Sequence, residues 1–108
     1  MIYDDFKIVF DETIDTIKNL LLKKSIEYSS DNDKLANFKY MAGEKSPEQI
    51  LFGYLHKHFV SVGMMCDSGK DYDFKLWEEK INDIIAYMLL LKAVIVEKGT
   101  KVSNTPRN

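Results

Sequence analysis

The segment from Phe74 to Glu97, FKLWEEKINDIIAYMLLLKAVIVE, is the longest and most apolar stretch of the chain. It limits the folds open to everything around it. At about 100° per residue, the turn of an α-helix, Trp77, Ile81, Ile84, Ile85, Met88, Leu91 and Ile95 fall on one side, which reads as a core face. The opposite side begins with Glu79, Asn82 and Asp83 and then turns apolar through Ala86, Leu90, Ala93 and Val94, so it too should be covered. Glu79 and Asp83 stand one turn apart, where both carboxylates can reach one point above the helix. A carboxylate pair at the head of a buried face needs a metal, a base or a hydrogen-bond network.

A chain of 108 residues, 45% hydrophobic and 30% charged, has apolar matter for one modest core. One helical domain over residues 1–98 is therefore expected. The tail from 99 to 108, in which TKVSNTPRN follows Gly99, has nothing to bury and should fray. A formal net charge of −2 gives no general reason to bind extended nucleic acid or an anionic membrane. Small phosphorylated ligands stay open if a metal mediates. The lone Cys66 excludes an internal disulfide framework and a four-cysteine zinc site. The acidic start MIYDDFKIVF is unlike a basic signal peptide, which favours a cytoplasmic setting. The run from Ala86 to Val96 is too short to span a bilayer and is interrupted by Lys92.

Along the chain, Phe6, Val9, Phe10, Ile14, Ile17, Leu20, Leu21 and Leu22 recur at helical spacing and predict one long amphipathic helix from Asp4 to Tyr28. Acidic residues lie early and lysines late, the order that the helix dipole favours. The polar run SSDNDK, Ser29 to Lys34, promotes a turn, and Leu35 to Met41 could form a short helix capped by Asp33. Gly43 closes that piece. The sequence SPEQ, Ser46 to Gln49, then combines a candidate N-cap serine, proline at the first helical position and glutamine at the third. The helix it starts should reach about Met65, with Leu51, Tyr54, Leu55, Val62 and Met65 as its stripe and His58 within that stripe. Asp73 is the expected cap of the last helix.

Three long helices and a short one, joined by short loops, predict an all-α antiparallel helical bundle. A last helix that is apolar all round suggests completion by another subunit, so a homo-oligomer, a dimer or higher, is expected through Leu90, Ala93 and Val94.

The polar residues fall in a definite order: Lys23, Lys24, Glu27 and Tyr28, then Asp33 and Asn37, then Lys57 and His58, then Glu79 and Asp83. With the segments KKSIEYSSDNDKLANFKY, YLHKHFVSV and WEEKINDIIAYMLLLKA, this order resembles phage-type small helical proteins related to the MazG-like, all-α nucleoside triphosphate pyrophosphohydrolases. The resemblance runs from about Leu22 to Lys98. It implies a helical oligomer that uses magnesium to split a nucleotide between its α and β phosphates. Members of that group place a Glu-Glu-x-x-Glu cluster on one helix and Glu-x-x-Asp on the next. Here Asp83 matches the final Asp, Lys80 stands three residues before it, and Glu79 is the nearest carboxylate on the correct face. The middle of the preceding helix offers Lys57, His58 and Ser61 instead of acids.

On this reading Glu79, Asp83 and Glu27 are the metal ligands, and Lys57 and His58 the catalytic candidates. Lys24, Asp33 and Asn37 are the substrate contacts. Each has a plainer reading. Glu79 can pair with Lys75 or Lys80 and Asp83 with Lys80 on a solvated side, His58 can be a hydrogen-bonded core histidine, and Asp33 can simply hold the turn. Two alternatives on the same fold follow, a non-catalytic interaction or regulatory protein and a nucleotide-binding sensor.

Overall fold

The computed structural model describes residues 1–28 and 43–102, with the side chains of residues 1–22 and 43–99. Among these residues there are three α-helices and no strand. Helix α1 spans Tyr3–Tyr28, α2 spans Pro47–Ser68 and α3 spans Phe74–Val102. The short helix expected over 35–41 lies outside the described residues. No helix among those described is long and apolar enough to cross a membrane.

The start of α2 is built as its sequence predicts. Ser46 is extended at φ −75° and ψ 155°, and its hydroxyl accepts from the Gln49 amide at 3.3 Å. The Gln49 side chain in turn accepts from the Ser46 amide at 2.9 Å, a complete capping box with Pro47 just inside it. The helix runs to Ser68, past the expected Met65. It stops where Gly69 takes a left-handed φ of 69°, a conformation that costs glycine little. Ser68 closes the end by donating to the Met65 carbonyl at 3.0 Å and accepting from the Lys70 amide at 3.1 Å.

Asp73 immediately precedes helix α3, and its carbonyl accepts from the Leu76 and Trp77 amides at 3.0 and 3.2 Å. It continues through Gly99 to Val102, beyond the Glu97 limit of the apolar pattern. Glycine ends a helix when it turns left-handed. Gly99 keeps a negative φ and only weakens the helix locally, since the positive-φ glycines are Gly43 and Gly69.

Helices α2 and α3 form an antiparallel hairpin. Glu48 at the start of α2 meets Lys98 near the end of α3, Leu51 packs on Val94, and His58 faces Tyr87. The core is centred there, with Leu51 and Val94 buried and Tyr87, Leu90 and Leu91 packed against them. Helix α1 packs on α3. Its burial begins at Thr13 and reaches completion at Ile17, whereas the first three turns, with Phe6, Val9 and Phe10, are exposed.

Two expected faces are therefore corrected. Ile81, Met88 and Ile95, read as core, are exposed, while Asn82, Ala86 and Val94 on the other side are buried within the chain. Val94 is accordingly part of the internal core and not available as a subunit contact. Both sides of α3 are apolar, so hydrophobicity alone does not choose between them. The small Ala86 and the compact Val94 let neighbouring backbones approach where the longer Met88 and Ile81 would hold them off.

Candidate functional site

Around the middle of the hairpin, aromatic rings from successive turns of α2 meet one ring of α3. Tyr54 stacks on Tyr87 at a centroid distance of 6.0 Å, with 13° between the planes. His58, one turn later on α2, lies tilted against the same ring at 5.2 Å and 33°. Positions 54 and 58 share a helix face, so a single tyrosine spans the gap between both. His58 is half-buried by this contact. Such an arrangement holds the plane of the imidazole.

Asp83 precedes Tyr87 by one turn on α3 and is half-buried; Glu79 precedes Asp83 by one turn and is exposed. The register set by Glu48 with Lys98, Leu51 with Val94 and His58 with Tyr87 places Asp83 level with the turn that follows His58. Thus His58, Tyr87 and Asp83 occupy neighbouring levels of one helix–helix seam, and Glu79 stands at its outer rim. The expectation that Glu79 heads a buried face is corrected: that face is buried at Asn82 and Ala86, not at Glu79. Neither carboxylate forms an ion pair with Lys75 or Lys80 among the described residues.

Lys57 is exposed and projects about 100° around α2 from His58. The side chains of Lys24 and Glu27, on the last turns of α1, and the residues Asp33 and Asn37 lie outside the described residues. Among the described residues no group of three or more His, Cys, Asp or Glu side chains converges to hold a metal ion. Two carboxylates one turn apart nevertheless match the chemistry of magnesium, which is commonly held by one or two carboxylates together with substrate phosphates.

Two features escaped the sequence reading. Tyr87 was legible only as the residue four beyond Asp83, a spacing that puts both on one face. The contact between Glu48 and Lys98, at 2.7 Å, joins residues fifty positions apart and leaves no local signal. The hydrogen bond from Lys98, aided by the Glu48 amide at the start of the helix and by the Ser46 hydroxyl, holds the Glu48 carboxyl down at about 2. Beside this pair lies an open groove of about 400 Å³, lined by Glu48, Gln49, Phe52 and Leu91.

No family model matches the chain, and no curated protein or solved structure matches it either.

Proposed function

We propose that this chain is a MazG-like nucleotide pyrophosphohydrolase, binding a nucleoside triphosphate with magnesium and cleaving it between the α and β phosphates. The observation that carries this reading is the His58–Tyr87 contact with Asp83 one turn from Tyr87, on a chain whose sequence segments resemble that group. Glu79 and Asp83, with Glu27 as the preferred third ligand, are the residues that would hold magnesium. Bound there, the ion would neutralise phosphate charge and lower the pKa of a coordinated water.

The chain's own groups have separable tasks. Asp83, partly shielded from water, offers a carboxylate whose attraction for a cation is less screened than that of the exposed Glu79. His58, with its ring held against Tyr87, is the side chain suited to take a proton from the attacking water. Lys57 and Lys24 counter the charge of the phosphate chain, Lys57 from the solvent side. Asp33 and Asn37 would hold the turn or contact the substrate.

The test is a screen of standard and modified nucleoside triphosphates with magnesium, following binding and pyrophosphate release in parallel. Glu79→Gln and Asp83→Asn should each abolish metal-dependent release while circular dichroism still reports the helices. Full activity in both variants would remove the proposed site. A second reading, a non-catalytic interaction protein or nucleotide sensor, is favoured by the limit of two carboxylates at the described site. Binding without pyrophosphate release for every nucleotide would select it.

A further inference from the structure

The α2/α3 hairpin has a second apolar side. On α2, Phe52, His56, Phe59, Gly63 and Cys66 follow one another at alternating steps of four and three, the spacing of a helix-packing seam. All of them are exposed. On α3, Ile81, Met88 and Ile95 recur every seven residues and are exposed as well. Each stripe lies about 100° around its helix from the α2–α3 contact, and in an antiparallel pair these rotations bring both stripes to the same side. The groove shared by Phe52 and Leu91 joins them. Burial on α3 continues instead at Ala86, on the side turned away from Met88.

Gly63 sharpens the point. Glycine inside a helix is less favourable than alanine, yet a Cβ added at Gly63 would meet nothing within 4 Å. Nothing in the described chain requires a glycine there. The same open space surrounds Gly53, off the seam, so Gly63 is a place that a second helix can approach closely and not one that demands it.

We infer that a second copy of this chain covers this side, hairpin against hairpin, in a two-fold dimer. The seam is self-complementary when two α2 helices run antiparallel: Phe52 falls opposite the partner's Gly63, and His56 opposite the partner's Phe59. A two-fold axis makes each contact twice. Parallel pairing would instead set glycine against glycine and leave a void. Area agrees with this occupant. Phe52 is 57% exposed, Phe59 49%, Met88 46% and Ile95 51%. At about 100 Å² for each half-exposed large side chain, the two stripes and their flanks bring about 600 Å² per copy, or about 1,200 Å² in all, the lower edge of specific interfaces. The dimer is therefore concentration-dependent. It does not rest on the nucleotide reading and is tested without nucleotide.

Sedimentation velocity on the full chain at micromolar concentration should show a monomer–dimer equilibrium. Phe59→Glu on α2 and Met88→Glu on α3 should each weaken it by at least about tenfold. Ile8→Glu, on the exposed start of α1, should leave it unchanged. Gly63→Leu should keep full helix content and weaken the dimer, and adding Phe52→Ala should restore it by giving the new side chain the space that the ring filled. A monomer at every concentration overturns the proposal, as does a dimer indifferent to Phe59 and Met88 but lost with Ile8. Loss of helix content in Gly63→Leu also overturns it, because position 63 would then be covered within one chain.

Discussion

The two sides of α3 have similar apolar character and opposite fates. Ala86 and Val94 are each 5% exposed, whereas Met88 and Ile95, a few residues away on the other side, remain about half open. Burial in so small a chain is rationed by neighbours. Helix α2 can lie along one side of α3, α1 reaches α3 only with its later turns, and no described element covers the Met88 side. The same division runs through α2, where Leu51 and Leu55 are buried and Phe52 and Phe59 are not.

The largest effect should come from the covered side. Leu51 is 1% exposed and packs on Val94, so Leu51→Ala removes a methyl-rich side chain and leaves a cavity, with an expected loss of about 2–5 kcal/mol. Chemical denaturation below the dimerisation range measures this. Under the same dilute conditions Met88→Ala should change stability by no more than about 0.5 kcal/mol, as for other exposed positions. A loss comparable with that of Leu51→Ala would break the comparison, because Met88 would then belong to a core.

Gly63→Ala acts in the opposite direction. An alanine there meets no neighbour and relieves the helix of a glycine, so the dilute monomer should gain about 0.5–1 kcal/mol. A destabilised monomer would show that the outer side of α2 is already filled.

The smallest effect concerns the end of the hairpin, where Lys98 holds Glu48. A carboxyl lowered from 4.5 to about 2 stabilises the folded state fully above pH 4.5 and stops doing so as pH falls through about 2. Lys98 is 60% exposed, so the contribution is screened and small. In an NMR titration Lys98→Met should return Glu48 toward the ordinary carboxylate range. If Glu48 stays low, the Ser46 hydroxyl and the helix amide, rather than the ion pair, hold it down.

The three described helices were legible in the residues alone, because their signals are local. Ser46, Pro47 and Gln49 specify the start of α2 through contacts within four residues, and Gly69 its end through a backbone preference. The 3.6-residue period also determined that α3 has two apolar sides and that Glu79 and Asp83 share one face. Which side is covered was set by tertiary packing, because it depends on where other helices run and how closely small residues let them approach. The same packing brought His58 and Tyr54 onto Tyr87, left Glu79 at the rim, and joined Glu48 to Lys98 across the hairpin. Contacts between residues distant in sequence carry no periodicity of their own; they exist only once two helices have chosen a common register.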